Sequence, residues 1–313
     1  MSKIRALIKL LRINQYYKNG LVFLGAIFAG SLISPNLLEV FTVYYYLIIG
    51  FLCFCMISSS NYIINDIIDM KKDRLHKEKK NRPLASGEIS KIVAIILFIV
   101  FFITPLIVSF YISYQLNNYW FFIFVLLIFI TGQAYNLYFK RISTVDILTL
   151  SLNYIWRAFG GCILVNKLAS PWLSLSVFLG ALFLVLCKRR NDLVLIGEEE
   201  AHKHKEVYEI YSIKLLDQMI TISTAALLVD YCIYSVLKYI NDKEYFLFSL
   251  PVFFYLIFRY LSLIYIKEGV ARKTERAFFD KGIIIGGSIF IILLIIIIYY
   301  PGILDFISTL PAI

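Results

Sequence analysis

The chain has 313 residues, of which 60% are hydrophobic and 17% charged, with 31 Lys and Arg against 21 Asp and Glu for a net charge of +10. Soluble chains average about 45–50% apolar and about 25% charged residues, so this composition excludes an ordinary soluble domain, a disordered chain and a fibre. About 188 apolar residues can fill about nine membrane spans of ~20 residues, and the basic excess of so apolar a chain belongs in loops rather than in a nucleic-acid groove.

The first twenty residues form a basic amphipathic stretch that runs directly into an apolar segment, with no cleavable signal apparent. Nine apolar runs then predict helices at roughly 20–36, 42–68, 91–112, 118–139, 145–165, 172–188, 214–238, 245–266 and 282–300. The expected fold is an all-α membrane protein of about nine spans. No linker divides it, so residues 1–313 are expected to form one catalytic domain.

The loops predict its orientation. Of the 31 Lys and Arg, 26 fall in the N-terminus and the loops on the same side as it, three on the other side and two within spans. That asymmetry places the N-terminus and the long loops in the cytoplasm of a cell membrane. The five cysteines, Cys53, Cys55, Cys162, Cys187 and Cys232, lie in or at the ends of apolar runs without metal-ligand spacing, and read as free buried thiols.

The end of the second run carries the strongest chemical signal. Asn61, Asn65, Asp69 and Asp73 recur every four residues, and Asp66 stands three before Asp69. At 3.6 residues per turn they share one helical stripe. Carboxylates massed at the end of an apolar helix repel one another unless cations sit among them. Hard oxygen ligands suit Mg²⁺, which usually takes one or two carboxylates and completes its shell with phosphate oxygens. Asn65, Asp66, Asp69 and Asp73 are therefore expected to hold a Mg²⁺–diphosphate group, with the three aspartates as the catalytic set. The plainer reading is a solvated helix end whose acids pair with Lys71, Lys72 and Arg74.

Cations of the following loop, Arg74, His76, Lys80 and Arg82, are candidates to clamp phosphate oxygens. Lys77 and Lys79 are read as headgroup or topology charges. A second cluster, Lys188, Arg189, Arg190, Asn191 and Asp192, closes the sixth run. It can hold a polyanion, with Asp192 steering a cation or a sugar hydroxyl, or simply mark the cytoplasmic end of a span. Further candidates are Lys18 and Asn19 before the first run, Tyr135 and Lys140 closing the fourth, and Asp146 opening the fifth. Arg157 lies about 16 Å above Asp146 on the same helix, too far to pair with it, and needs another partner. Arg259 and Asp230, both within spans, are expected to pair with each other. Glu198, Glu199, Glu200, His202 and His204 read as a solvated loop.

These elements resemble the UbiA-type intramembrane transferase superfamily. The resemblance rests on Asn65-Asp66-Ile-Ile-Asp69-Met-Lys-Lys-Asp73-Arg74-Leu-His76, then Asn81-Arg82-Pro83-Leu-Ala-Ser-Gly87. Within that superfamily the chain is most similar to the polyprenyl-phosphate phosphoribosyltransferases of the decaprenyl-phosphate type. The similarity lies in Gln15-Tyr-Tyr-Lys18-Asn19, Tyr135-Asn-Leu-Tyr-Phe-Lys140 with Asp146, Arg157-Ala-Phe-Gly160-Gly161, and Lys188-Arg189-Arg190-Asn191-Asp192. Asp192 stands where that group usually has Glu, and Lys77 where Pro is usual. The resemblance implies nine helices around a central cavity. It also implies Mg²⁺-dependent transfer of 5-phosphoribose from phosphoribosyl diphosphate to a polyprenyl phosphate, with release of diphosphate. Lys18 or Arg157 would position the lipid phosphate. A prenyltransferase moving a prenyl group from a prenyl diphosphate to an aromatic or glycerol acceptor is the alternative enzyme. An ion-coupled transporter is a more distant one, because the ionisable groups gather at one face. An oligomer is compatible with the sequence.

Overall fold

The computed structural model describes residues 3–28, 30–32, 36–75, 79–197, 206–240, 244–266 and 274–309. Among them are ten α-helices and no strand. They are α1 (Lys3–Leu11), α2 (Leu21–Phe28), α3 (Leu37–Leu75), α4 (Lys91–Gln115), α5 (Trp120–Leu137), α6 (Val145–Leu164), α7 (Pro171–Ile196), α8 (Ile213–Ile240), α9 (Leu250–Ile266) and α10 (Lys281–Thr309). Eight, from α3 onward, are long and apolar enough to cross a membrane. The first predicted run contains only the eight-residue α2 among the described residues. The protein is a multi-pass helical membrane protein. His76, Glu198, Glu199, Glu200, His202 and His204 lie outside the described residues.

Local chemistry sets the helix ends. Ser90 accepts the Val93 N–H at 3.3 Å and caps α4, and Ser170 accepts the Leu173 N–H at 3.0 Å to start α7, with Pro171 in its first turn. Gly197, at φ 84°, ends α7 with a backbone geometry that glycine adopts without strain. The apolar residues that remain exposed are those of a lipid-facing surface. Ile92, Ile96, Ile99, Ile103 and Ile107 are all exposed along α4, which a bilayer satisfies and water would not.

The chain divides into two compact units. The first comprises Met1–Leu32, Leu37–Leu137 and Asn153–Ala169. In it the 39-residue α3 packs against α4 and α5. At ~1.5 Å per residue α3 is roughly 58 Å long, about twice the ~30 Å hydrocarbon core, so its polar last turns project past the apolar layer. α2 crosses α6 at small residues: a Cβ on Gly161 would lie 1.9 Å from the Val22 carbonyl oxygen, and one on Gly25 2.8 Å from that of Ala158. Only glycine permits that approach. Beneath α1, Ala6, Leu10, Ile63, Leu84, Ile89 and Ala94 form a small buried cluster. It ties both α1 and the loop after α3 to the polar end of α3.

The second unit comprises Ile33–Asn36, Tyr138–Leu152 and Ser170–Ile313. There α7 packs along α8, and α9 along α10. Ile147, Phe183, Leu186, Leu193, Tyr208, Tyr211 and Tyr260 belong to its core.

Candidate functional site

In the first unit, the acidic stripe resolves into residues with distinct surroundings. Asp66 and Asp73 are each only 3% exposed. Arg82 bridges them, with Nη1 3.0 Å from Asp66 Oδ1 and 2.7 Å from Asp73 Oδ2. Arg12 Nη2 adds a second cation 3.2 Å from the same Asp66 oxygen. Asp69 and Asn65 are half-buried, and among the described residues their side chains make no hydrogen bond or ion pair. Asn61, at the apolar end of the stripe, is used otherwise. Its amide donates to the Ile128 carbonyl at 3.1 Å and accepts from Gln133 Nε2 at 2.6 Å, joining α3 to α5.

The cations chosen by the acids are not the adjacent ones. Lys71, Lys72 and Arg74 are exposed, and Asp66 and Asp73 turn instead to Arg12 and Arg82. Arg12 was not among the expected site residues. It sits between α1 and the turn Ile13–Gly20 in the left-handed region, at φ 52° and ψ 45°, and lies over the Tyr62 ring at 4.3 Å. Such a conformation is uncommon for a residue with a side chain, and no local pattern announces it. Lys80 is exposed.

The residues present fit a hard divalent cation in chemistry. Three carboxylates and one amide oxygen share a stripe, two of the carboxylates are already neutralised by guanidinium groups, and Asp69 is uncommitted among the described residues. Among the described residues no three acidic, His or Cys side chains converge into a closed cage. A Mg²⁺ that takes one or two carboxylates and completes its shell with phosphate requires none.

Deeper in the same unit, Arg157 is 9% exposed. Its Nε donates to Asn19 Oδ1 at 2.7 Å, its Nη2 to Ser58 Oγ at 3.2 Å and its Nη1 to the Asn153 carbonyl. The α2–α6 crossing brings Asn19, which precedes α2, onto Arg157, one turn before Gly161. Lys18, next to Asn19, donates to Gln15 Oε1 at 3.3 Å. Tyr135 and Lys140 are both half-buried.

In the second unit the cations at the end of α7 separate. Lys188 is exposed. Arg189 forms an ion pair with Asp146, Nη2 to Oδ2 at 2.9 Å, and Asp146 is fully buried. Arg190 Nε meets Asp217 Oδ1 at 2.7 Å and lies over the Tyr265 ring at 4.1 Å. Tyr265 also donates to Asp217 Oδ1 at 2.7 Å. Asn191, fully buried, has neither side-chain polar atom hydrogen-bonded to a described residue.

Two tyrosines not anticipated from the sequence complete this network. Tyr211 Oη donates to Asp146 Oδ1 at 2.7 Å and accepts the Thr144 N–H at 2.6 Å. Thr144 has φ 68°, a strained value for a β-branched residue. Tyr208 Oη donates to Asp192 Oδ2 at 2.8 Å. Burial raises the pKa of both phenols, and the adjacent carboxylates raise it further, so both remain donors at neutral pH.

One expected pair does not form. Arg259 is bound by Asp280, Nε to Oδ1 at 2.9 Å and Nη2 to Oδ2 at 3.0 Å. Asp280 also caps α10, accepting the N–H of Gly282 at 3.0 Å and of Ile283 at 3.3 Å. Asp230 accepts from Ser176 instead. A long guanidinium stem reaches the helix end, where a carboxylate already takes backbone donors.

Buried, cation-bridged acids at the end of a membrane helix fit an intramembrane transferase. The profile of the UbiA prenyltransferase family matches residues 21–281, and the chain belongs to that family. It is similar to the decaprenyl-phosphate phosphoribosyltransferase of Mycolicibacterium smegmatis, 30% identical over 230 residues that cover 73% of this chain and 69% of the relative. The protein of the same name from Mycobacterium tuberculosis is 27% identical over 82% of each chain. Among solved structures, a UbiA homolog from Archaeoglobus fulgidus bound to GPP and Mg²⁺ shares the fold at a TM-score of 0.64, with 18% identity, covering 94% of this chain and 99% of the other. Family membership gives no support to the transporter alternative.

Proposed function

We propose that this protein transfers 5-phosphoribose from phosphoribosyl diphosphate to a polyprenyl phosphate, in a reaction that requires Mg²⁺ and releases diphosphate. The observation that carries the reading is the cluster of Asp66, Asp73 and Arg82, buried acids bridged by a guanidinium at a membrane helix end. The similarity to two decaprenyl-phosphate phosphoribosyltransferases supports the choice of substrates. The basic-loop bias supports an active site on the cytoplasmic side.

Asn65, Asp66, Asp69 and Asp73 would hold the metal. When bound, Mg²⁺ neutralises the charge that develops on the departing diphosphate. In this reading Arg82 and Arg12 exchange their carboxylate partners for diphosphate oxygens. His76, Arg74 and Lys80 are proposed to add to that charge. Lys188 is proposed to bind a donor phosphate, and Asp192, oriented by Tyr208, a ribose hydroxyl. Arg189 and Arg190 belong to the same proposed basic group, with Asp146 and Asp217 setting their positions. Tyr135 and Lys140 are proposed further donor contacts.

The ribose C1–O bond breaks with its electron pair passing to the diphosphate. A lipid phosphate oxygen forms the new C1–O bond. That oxygen is already anionic at neutral pH, so no side chain need remove a proton. What the chain supplies is alignment and electrostatic complementarity in a partly dry site.

The test is incubation of the full-length protein with Mg²⁺, labelled phosphoribosyl diphosphate and a polyprenyl phosphate, where a labelled lipid is expected. The fold shared with a homolog bound to GPP keeps prenyl transfer as the second reading. Turnover only with a prenyl diphosphate and an aromatic or glycerol acceptor would establish that reading instead.

A further inference from the structure

The basic amphipathic helix α1 has no part in the transfer reaction, and its residues sort by side. Ala6 and Leu10 are buried in one cluster with Ile63 of α3 and Ala94 of α4, and Leu7 and Leu11 pack partly against it. Arg5 and Lys9, four apart and so on one face, are exposed. Ile4 and Ile8, also four apart, are 69% and 45% exposed on the side turned away from Ala6 and Leu10. The helix has no acidic residue, and none precedes Glu39 in the chain.

Its neighbours fix its level. Ala94 lies in the first turn of α4, where that helix enters its apolar run, and Ile92 and Ile96 beside it are exposed on the lipid-facing surface. α1 therefore packs at the boundary between the apolar helices and the polar end of α3. Two isoleucines turned outward there are unfavourable in water and are satisfied in the acyl boundary of a bilayer. Cations on the adjoining side meet the headgroups, and a helix with three cations and no acid selects anionic ones.

α1 also carries both cations of the acidic stripe. Ser59 of α3 donates to the Leu11 carbonyl at 2.8 Å, and the next residue is Arg12, whose guanidinium lies on Asp66. Lys9 Nζ donates to the Asn81 carbonyl at 2.5 Å, and the residue after Asn81 is Arg82, also on Asp66. A shift of α1 thus moves both guanidinium groups. We propose that α1 is a docking surface for anionic phospholipid, with Ile4 and Ile8 in the acyl boundary and Lys3 and Arg5 on headgroup phosphates, and that this contact steadies Arg12 and Arg82 over the acidic stripe. The inference goes beyond the transfer reaction, because docking requires no particular substrate.

The experiment uses the full-length protein in nanodiscs of phosphatidylcholine alone or mixed with phosphatidylglycerol. Ile8→Trp supplies a reporter, and its emission is read as the difference from the wild type, which has three tryptophans of its own. Lipid brominated on the acyl chain close to the headgroup should quench the added emission. Phosphatidylglycerol should raise the unfolding temperature of the wild type, and added salt should reduce that rise. Lys3→Gln combined with Arg5→Gln should lose most of the rise, whereas Lys214→Gln, at an exposed cation of α8, should keep it. Asp66→Asn should lose part of the rise, since the steadied cations no longer have that carboxylate. In turnover, phosphatidylglycerol should lower KM for phosphoribosyl diphosphate about fivefold, the scale of one cation at an anionic surface, and the Lys3, Arg5 double variant should lose that gain.

Unquenched Ile8→Trp emission would overturn the docking, whether that side then faces water or a second copy of the chain. An undiminished rise in the Lys3, Arg5 double variant would overturn the choice of anionic headgroups for α1, because other basic loops would account for the rise. An undiminished rise in Asp66→Asn would overturn the coupling to the acidic stripe. If quenching and the rise behave as expected but no label passes from phosphoribosyl diphosphate to a lipid, the docking stands and the transfer reading falls. If label is transferred and quenching is absent, the transfer reading stands and the docking falls.

Discussion

Arg82 Nη1 lies 3.0 Å from Asp66 Oδ1 and 2.7 Å from Asp73 Oδ2, so one guanidinium nitrogen holds two acids that are seven residues apart on α3. Two turns of helix bring the carboxylates onto one stripe, and the loop cluster around Leu84 delivers the cation. The arrangement lets two acids remain buried and close without a metal. In the proposed reaction this cation would give way to the metal.

Asp69 and Asp66 separate catalytic from structural contributions. Asp69 has no side-chain partner among the described residues, so Asp69→Asn should leave the melting temperature unchanged and lower turnover about a hundredfold or more, as loss of a transition-state charge contact does. Asp66→Asn should lower turnover similarly and also cost stability, because Arg12 loses the carboxylate it is bound to. Wild-type turnover in Asp69→Asn would make the stripe structural.

Arg82→Gln should affect metal and donor in opposite directions. With Mn²⁺ as a spectroscopic probe and no donor present, the variant should bind metal more tightly, since a competing cation is gone. Its affinity for phosphoribosyl diphosphate should fall about tenfold with the loss of a charge-assisted contact. Weaker Mn²⁺ binding in the variant would show that Arg82 arranges the acids rather than competing for them.

Arg189 and Asp146 should behave as a coupled pair. Arg189→Ala leaves a fully buried carboxylate without its cation and should cost about 3–5 kcal/mol of stability. Asp146→Asn introduced with it should recover part of that loss, measured as a double-mutant cycle by thermal unfolding. Additive losses would show that the two side chains are not energetically coupled. Donor affinity measured on Arg189→Lys separates this structural role from phosphate binding, because that variant keeps the charge.

Tyr208 and Tyr211 predict an alkaline limit. Their folded-state pKa values are raised above the ordinary phenol value of about 10, so the native state holds these protons more tightly than the unfolded chain. The stability they contribute is complete below about pH 10 and is lost as pH rises through the folded values. Tyr208→Phe and Tyr211→Phe should each flatten the alkaline limb of the stability profile, and Tyr211→Phe should also lower stability by about 1–3 kcal/mol through the bonds to Thr144 and Asp146. An unchanged alkaline limb in both would remove the phenols from that linkage.

The spans and the acidic stripe were legible because each depends on a period. Apolar runs of membrane length and acids every three or four residues need only the geometry of one helix. Partner choice had no such rule. Arg12 reaches Asp66 across 54 positions in sequence, and its left-handed backbone leaves no trace in residue type. The sequence pairs Arg259 with Asp230 as two intramembrane charges, yet Arg259 is long enough to find Asp280 at the start of α10, and one oxygen of Asp230 accepts from Ser176. Tyr208 and Tyr211 read as ordinary residues of a loop until they appear on Asp192 and Asp146.

Sequence alone therefore determined the membrane class, the helices that bear charge and the stripe on which the acids gather, since local periodicity and transfer energies act along the chain. Tertiary structure decided which cation each carboxylate takes, that Arg157 is left among neutral partners, and that Gly161 lets α2 approach α6 closely enough to place Asn19 there. Those outcomes depend on distances between segments remote in sequence, and ion pairing falls away steeply with distance and exposure, so packing had to be known before any of them could be assigned.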